Sequence, residues 1–268
     1  MTIEEAKKHY TITEEDKAFF YSDAARGIRL QVDYLKAETK MKAEGIEHTI
    51  VVFGSARILS TEEAQKYLDL VDKEDTEAYA KAIKRVEQSR YYEEAREFGK
   101  LVAQSGKGPQ DCTVTLMTGG GPGIMEAANR GAYEAGGKSI GLNITLPHEQ
   151  NPNPYITPEL SFSFYYFGIR KLHFIQRAKA LVIFPGGFGT LDELFDTLTL
   201  IQTNKSPYIP IVLISKQYWN SIINFDFMIE EGMILTEDAA LLSYAESAEE
   251  AWEHILGWYE KRGEPLFP

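Results

Sequence analysis

The sequence predicts an α/β fold of the Rossmann-like, doubly wound type: a mostly parallel sheet with helices on both faces and a helical N-terminal extension. Short apolar runs typical of buried strands alternate with longer segments of helical periodicity. Two of the strands are followed directly by glycine-rich turns that lead into helices. Ligands bind at the carboxyl ends of strands in open sheets of this kind, so the two turns are the first candidates for a site.

The elements can be assigned in chain order from these patterns. Residues 1–46 are predicted to form the extension, and their apolar stripe is expected to pack on the domain or on a neighbouring molecule. Strand-like segments are expected at 48–53, 113–117, 138–146, 160–167, 181–184 and 209–214. Helices are expected at 61–104 with a break near 72–75, then at 124–135, 168–178, 191–202, 218–230 and 248–261. An irregular loop is expected at 147–158, which is rich in Pro and Asn.

The totals limit what kind of protein this is. A chain of 268 residues with 44% hydrophobic residues can bury a substantial core, and we assign residues 47–268 to one Rossmann-like domain with a helical insert at about 58–104. The net charge of −12 argues against a partner such as nucleic acid, because non-specific binding of polyanions needs clustered Lys and Arg. The acidic start of the chain lacks the apolar region of a signal peptide, and no apolar run reaches the roughly 18 residues that a membrane span needs. A cytoplasmic protein without a membrane partner is therefore expected.

The cysteine count and the spacing of possible metal ligands exclude disulfide-rich proteins and common metal sites. The single cysteine, Cys112, rules out a disulfide framework and a cysteine-rich zinc site. No cluster of His, Cys, Asp and Glu has the spacing of metal ligands, so no metal is expected.

The second glycine-rich turn, PGGFGT at 185–190, has the features of a phosphate-binding site. Glycines allow backbone N–H groups to approach an anion closely, and the positive end of the following helix points to the same place. The turn matches neither G-x-G-x-x-G nor the P-loop, which argues against a Rossmann dehydrogenase. The first turn, TGGGPG at 118–123, follows another strand of the same sheet. Two turns at one sheet edge suit a nucleotide, unless the first is only a tight connection.

Two charged residues near the second turn each allow two interpretations. Glu193 stands three residues after Thr190, as in a capping box, where Thr190 would be the N-cap of the helix. The helical periodicity places Glu193 off the apolar face, which is formed by Leu191, Leu194, Phe195 and Leu198. Sequence spacing does not decide whether Glu193 caps the helix or acts on a ligand. Arg170 could bind a phosphate or a carboxylate such as Glu193, or lie on a solvated helix face.

Three segments together resemble a known family, the LONELY GUY (LOG) phosphoribohydrolases, which were long labelled possible lysine decarboxylases. The segments are MTGGGPGIMEAAN at 117–129, the pair Arg170-Lys171, and PGGFGTLDE at 185–193. The likeness runs from about residue 48 to the last helix, and the extension and the insert exceed the compact members of the family. Asp192 is a departure, because the family most often has Glu there.

The resemblance implies a reaction and a set of site residues. The family hydrolyses the N-glycosidic bond of nucleoside 5′-monophosphates such as AMP or N6-substituted (cytokinin-type) AMP, giving a free base and ribose 5-phosphate. By resemblance Arg170 and Glu193 would be catalytic. The 5′-phosphate would be held by Gly186, Gly187, Gly189 and Thr190. The ribose or base would be contacted by Ser55, Gly120, Gly121 and Glu126. No metal or other cofactor is implied, and a homo-oligomer is implied because family sites are completed by a neighbouring subunit.

Other functions fit the residues less well. A non-catalytic carrier of a nucleotide or of the molybdenum cofactor would have no use for the pair Arg170 and Glu193. A protein that processes single-stranded DNA conflicts with the charge of −12. An amino-acid decarboxylase normally uses pyridoxal phosphate on a Schiff-base lysine, and no lysine lies in a suitable glycine-flanked site. The sequence therefore predicts a nucleotide hydrolase, with a non-catalytic carrier as the alternative.

Overall fold

A computed structural model describes residues 14–144 and 151–267. Within these ranges the chain forms one seven-stranded sheet in the order β4-β3-β2-β1-β5-β6-β7. Every neighbouring pair of strands is parallel. The strands are β1 (His48–Phe53), β2 (Val114–Thr118), β3 (Ser139–Ile144), β4 (Ser161–Phe164), β5 (Ala178–Ile183), β6 (Ile211–Ile214) and β7 (Leu242–Ala245). The predicted Rossmann-like α/β class is confirmed.

The helices of the described residues alternate with these strands. In chain order they are α1 (Glu14–Tyr21), α2 (Arg26–Ala43), α3 (Thr61–Leu70), α4 (Thr76–Gln88), α5 (Arg90–Gln104), α6 (Ile124–Glu134), α7 (Phe167–Gln176), α8 (Phe188–Gln202), α9 (Lys216–Ile222), α10 (Phe225–Glu230), α11 (Thr236–Ala239) and α12 (Ala248–Arg262). Most predicted helices are present. The segment predicted as one helix at 218–230 is two helices, because Ile223 is extended between them.

The central strand β1 shows why the sheet is covered on both faces. Its residues alternate between two apolar cores: Ile50 and Val52 belong to one, and Val51 and Phe53 to the other. A strand that is buried on both sides needs a helical layer on each face, which is the arrangement of parallel sheets. The insert contributes α5 to the first core, through residues such as Phe98.

The N-terminal extension packs on the sheet through Ala37 and Met41, which belong to the second core, and through polar contacts near β4. The Asp33 carboxylate accepts hydrogen bonds from the backbone N–H groups of Tyr165 (2.8 Å) and Tyr166 (2.9 Å). Buried Glu38 pairs with Arg177 at 2.8 Å. In contrast, the apolar stripe predicted to be the packing face of this segment is about half exposed at Ile28, Val32 and Leu35. The boundary between extension and domain at 46/47 stays a prediction.

Some sequence predictions fall outside the described residues: the first 13 positions of the extension, the end of the third strand and the start of the loop at 147–158. Along the described ranges no helix is both long and apolar enough to cross a bilayer.

The insert packs on α6 through two glycines. A Cβ added at Gly131 would overlap the Arg96 carbonyl, and one added at Gly99 would overlap the Ala128 carbonyl.

Gly131→Ala is therefore expected to lower the free energy of unfolding by about 1–3 kcal/mol, because the two helix backbones must separate. Urea denaturation measures this effect. The control is Gly257→Ala, where nothing lies within 4 Å of the added Cβ; this change in a helix interior is expected to stabilise slightly. Equal stability of the two variants would contradict the proposed close contact.

Candidate active site

The candidate site lies at the carboxyl ends of β1, β2 and β5, in the middle of the sheet. The chain leaves β1 toward β2 on one side and later enters β5 on the other, so this is a topological switch point. Ser55, just after β1, ties the three loops together. Its N–H donates to the Pro185 carbonyl (3.0 Å), and its carbonyl accepts from the Ile124 N–H (3.1 Å). The loops after the three strands therefore form one connected surface.

A cavity of about 790 Å³ opens on this surface. The volume is in the range of small-molecule sites and is large enough for a nucleotide. The loop after β1, the turn at 185–190, α7, α8, the end of α4 and the start of α9 all contribute to its walls.

The phosphate-type turn enters α8 earlier than predicted. The helix begins at Phe188, its N-cap is Gly187, and no side chain caps it. The prediction that Thr190 is the N-cap is wrong, because the Leu191 N–H donates to the Gly187 carbonyl and so closes a helical turn that already contains Thr190. Thr190 is therefore the third residue of the helix, and a capping box between Thr190 and Glu193 does not form.

The first turn of α8 presents free hydrogen-bond donors. The first backbone bond of the helix runs from the Leu191 N–H to the Gly187 carbonyl at 3.0 Å. Among the described residues, no acceptor is within hydrogen-bond reach of the N–H groups at the four preceding positions, Gly187, Phe188, Gly189 and Thr190. Free N–H groups combined with the positive end of a helix dipole bind anions such as phosphate.

Glu193 is buried, contrary to the expectation that it lies off the apolar face. It is only 7% exposed, whereas Phe195, predicted to face the core, is 37% exposed. The buried face of α8 consists of Thr190, Glu193, Leu194, Thr197 and Ile201. Helical periodicity predicts that carboxylates face solvent. Here the start of α8, including Glu193, forms a wall of the cavity.

Burial changes the ionisation of Glu193. The loss of water around the carboxylate raises its pKa to about 7, against the attraction of Arg170, which lowers it. Its carboxylate makes no hydrogen bond to any part of the chain that the structure describes, so the cap interpretation finds no support in the structure. A carboxyl with a pKa near neutrality in a cleft is suited to acid–base chemistry.

Arg170 extends from α7 toward the same cavity. Its Nε atom is buried without a hydrogen-bond partner among the described residues. The guanidinium stacks on the Phe174 ring, 5.2 Å from its centroid, and burial lowers the pKa of a group that nevertheless stays charged. Gly119 makes room for it, because a Cβ there would lie 2.6 Å from Nη2. The solvated-face interpretation is therefore wrong for Arg170.

Other charged residues lie close to Arg170 and Glu193. Lys171 forms ion pairs with Asp192 (2.9 Å) and Asp196 (3.6 Å). Arg170 and Glu193 interact electrostatically, but no ion pair within 4.0 Å joins them in the structure of the described chain. A bound ligand would supply the hydrogen-bond partners that both side chains lack.

The structure brings most of the predicted site residues together. Ser55, Arg170, Gly186, Gly187, Gly189, Thr190 and Glu193 all line the cavity. Gly120, Gly121 and Glu126 do not line it. The carbonyls of Gly120 and Gly121 accept from Asn153 Nδ2 at 3.2 and 3.1 Å, and Glu126 accepts from the Tyr92 hydroxyl at 3.0 Å. A role of these three residues in ribose or base binding stays a prediction.

Several lining residues were not identified from the sequence. Gln88 from the end of α4, Met125 from α6 and Tyr218 from α9 also face the cavity. Met125 lies within the segment at 117–129 but was not assigned a role, whereas Gln88 and Tyr218 belong to no recognised motif and reach this edge of the sheet only through the parallel topology. Across residues 14–144 and 151–267, no three His, Cys, Asp or Glu side chains are grouped so that they could hold a metal ion.

Comparisons with known proteins agree with the motifs. The family described as "Possible lysine decarboxylase" matches residues 125–255. A probable cytokinin riboside 5′-monophosphate phosphoribohydrolase of Oryza sativa subsp. japonica is 27% identical over 152 residues, which cover 53% of this chain and 68% of the relative. A cytokinin riboside 5′-monophosphate phosphoribohydrolase of Arabidopsis thaliana is 28% identical over 142 residues, covering 51% of this chain and 64% of the relative. The chain thus spans about two thirds of the length of these relatives.

A solved structure is also similar in fold. It is the molybdenum cofactor binding protein of the phototrophic bacterium Rippkaea orientalis, with a TM-score of 0.47 and 19% identity, covering 79% of this chain and 97% of that one. A likeness at this distance supports no argument about ligand or activity. The family match and the curated relatives confirm the resemblance that the three motifs predict.

Proposed function

We propose that this chain, which is similar to the LONELY GUY (LOG) family, is a nucleoside 5′-monophosphate phosphoribohydrolase. It would hydrolyse the N-glycosidic bond of AMP or of an N6-substituted AMP to the free base and ribose 5-phosphate. The observation that carries this proposal is the presence of a buried carboxyl, Glu193, and a set of free N–H donors in one cavity.

The geometry suggests how the residues divide the work. The N–H groups of Gly187, Phe188, Gly189 and Thr190 bind the 5′-phosphate. Glu193 lies about one helical turn farther along α8, roughly 5 Å along the axis, a separation on the scale of a ribose ring. The phosphate at the turn therefore places the anomeric carbon near the carboxylate.

The chemistry requires negative charge at this place. The bond from the anomeric carbon to the base nitrogen breaks, and the electron pair leaves with the base, which takes up a proton from solvent. The sugar becomes oxocarbenium-like, and the Glu193 carboxylate stabilises that positive charge. The same carboxylate accepts a proton from the water whose oxygen adds to the anomeric carbon. Arg170 holds the ligand and orients Glu193.

Glu193 must be ionised for both roles, which predicts a pH dependence. Its pKa is raised to about 7, so the carboxylate is protonated below that pH and ionised above it. We expect kcat/KM to rise with pH along a limb centred near pH 7, as measured by initial rates of base release between pH 5 and 9. A rate limited by an ordinary glutamate would instead be flat down to about pH 5.

The experiment that tests the function is a substrate panel. Purified protein is incubated with AMP, N6-substituted AMP, GMP, CMP and adenosine, and free base is separated by chromatography. The proposal expects base release from a monophosphate and far less from adenosine. Binding of nucleotides without release of base from any of them would indicate a non-catalytic carrier, for which the buried Glu193 has no use.

The predicted homo-oligomer and cytoplasmic location remain proposals. Phe188, at the rim of the cavity, is 92% exposed, and Phe167 beside it is also exposed. A second copy covering these rings would complete the site and shield it from bulk solvent.

A further inference from the structure

We propose that Tyr218 is a positioning residue that sets the direction of the Gly187 N–H and thereby the affinity of the turn for the 5′-phosphate. The inference rests on the proposed function, because it concerns the same anion site. Tyr218 lies in the first turn of α9, 32 positions after Gly186. Its hydroxyl donates a hydrogen bond of 2.6 Å to the Gly186 carbonyl.

The bond acts on a peptide group that is otherwise easy to rotate. The peptide between Gly186 and Gly187 is flanked by two residues without Cβ atoms, so it has unusual freedom to flip. In a trans peptide the C=O and the following N–H point in opposite directions. Fixing the Gly186 carbonyl on one side therefore fixes the Gly187 N–H on the other. That N–H is one of the free donors at the start of α8.

Tyr218 is itself held by a buried residue in a costly conformation. Ser215 is the N-cap of α9 and has φ +72, in the left-handed region that non-glycine residues rarely occupy. Ser215 is 1% exposed, its Oγ accepts from the Tyr218 N–H at 3.4 Å, and its N–H donates to the Ala245 carbonyl at 2.9 Å. The strained cap aims the first turn of α9, and with it the Tyr218 ring, at the glycine turn.

The insert reaches the turn through the same contacts. Tyr91, at the start of α5, donates its hydroxyl hydrogen to Ser215 Oγ at 3.0 Å. A continuous path thus runs from Tyr91 through Ser215 and Tyr218 to the Gly186 carbonyl. This gives the helical insert a connection to the anion site that its sequence does not suggest.

The alternative is that Tyr218 only fills space, since its ring is half-buried and packs edge-on against Trp219 at 5.3 Å. The two interpretations differ in what the hydroxyl does. A packing residue loses little when Tyr218→Phe removes one oxygen atom, whereas a positioning residue loses phosphate affinity. The matched control is Tyr259→Phe, whose hydroxyl also donates to a backbone carbonyl, Lys179 O at 2.7 Å, but in the core away from the site.

The test measures anion binding first and activity second. Titration calorimetry with inorganic phosphate and with ribose 5-phosphate is expected to show a dissociation constant about 3- to 10-fold higher in Tyr218→Phe than in the wild type, the size expected for one hydrogen bond. Tyr259→Phe is expected to bind both as the wild type does. In the activity assay, Tyr218→Phe should raise KM for AMP more than it lowers kcat, and the preference for AMP over adenosine should fall by a similar factor.

Each outcome decides the question. Unchanged phosphate affinity in Tyr218→Phe, an equal loss in Tyr259→Phe, or equal losses for AMP and adenosine would overturn the inference. Weaker phosphate binding in Tyr218→Phe, together with no base release by the wild type, would support the inference while rejecting the proposed hydrolase. If Tyr218→Phe does not fold, Tyr91→Phe removes the preceding bond in the path, and it is expected to weaken phosphate binding in the same direction but less. Wild-type affinity in that variant would then overturn the proposal.

Discussion

Replacing Glu193 with glutamine is expected to lower kcat for AMP hydrolysis by about 10²- to 10⁴-fold, the usual loss when a general base is removed. The amide has nearly the same shape, but it carries no charge and cannot accept the proton of water. The Kd for AMP should change much less, because the phosphate is bound by the backbone of the first turn of α8. Initial rates of base release and calorimetric titration with AMP measure the two effects separately.

The control for Glu193→Gln is Asp196→Asn, one turn away, which changes a carboxylate that pairs with Lys171. That variant is expected to stay within about 3-fold of the wild type, which corresponds to less than 1 kcal/mol. Equal activity of Glu193→Gln and the wild type would show that the buried carboxyl has no part in the reaction.

Glu193→Gln is also expected to be more stable than the wild type at alkaline pH. Folding raises the pKa of Glu193 from 4.5 to about 7, so the folded state favours the protonated form. Its contribution to stability is present below pH 4.5 and is lost as the pH rises through 7, where the fold must hold an ionised, buried carboxylate. The difference between the two pKa values corresponds to about 3 kcal/mol as an order of magnitude.

Urea denaturation at two pH values tests this sign. At pH 8.5 Glu193→Gln should exceed the wild type in the free energy of unfolding, and at pH 5 most of the difference should disappear. A variant that is less stable than the wild type at pH 8.5 would mean that the carboxylate is stabilised by its surroundings.

Replacing Arg170 with methionine, a side chain of similar length without charge, is expected to lower kcat/KM for AMP by about 10²- to 10³-fold, as for other electrostatic groups of active sites. Arg170 is the largest factor that lowers the pKa of Glu193. Without it that pKa rises, so the limb of the pH profile should move to higher pH. Stability should be maintained or increased, because a buried cation with an unpaired Nε is removed.

Lys171→Met is the comparison for Arg170→Met, since it removes the adjacent cation, which is already paired with two carboxylates. It should reduce activity less than Arg170→Met does. Unchanged rates and an unchanged pH profile in Arg170→Met would show that Arg170 has no part in the reaction.

The fold could be predicted because its signals are local. Buried strands such as His48–Phe53 contain continuous apolar runs, and the glycine turns mark where strands end. The strand β7 (Leu242–Ala245) was missed because it is a short edge strand of four residues with mostly half-buried positions, too few to show a pattern. The break at Ser89 between α4 and α5 was missed because Ser89 keeps helical dihedral angles there.

Only those parts of the candidate site that belong to the sequence motifs could be predicted. The turn at 186–189 and the position of Arg170 before β5 follow from the motifs. The burial of Glu193 contradicts the periodicity rule, since a functional helix face can place a carboxylate toward the interior of a cleft. The start of α8 was misplaced because its N-cap, Gly187, and its second residue, Gly189, are glycines, which helix propensity disfavours. Tyr218 and Gln88 reach the cavity through long-range topology, which spacing along the chain does not reveal.

One cavity is expected to bind the phosphate on the α8 turn and to cleave the glycosidic bond with Glu193. Incubating AMP with the wild type and with Glu193→Gln at pH 8, and quantifying both products, tests it. Adenine and ribose 5-phosphate should appear in equal amounts with the wild type, and the variant should bind AMP but release almost none of either. Intact AMP after prolonged incubation with wild-type protein that binds it, or equal release by the variant, would contradict this role of the cavity and of Glu193.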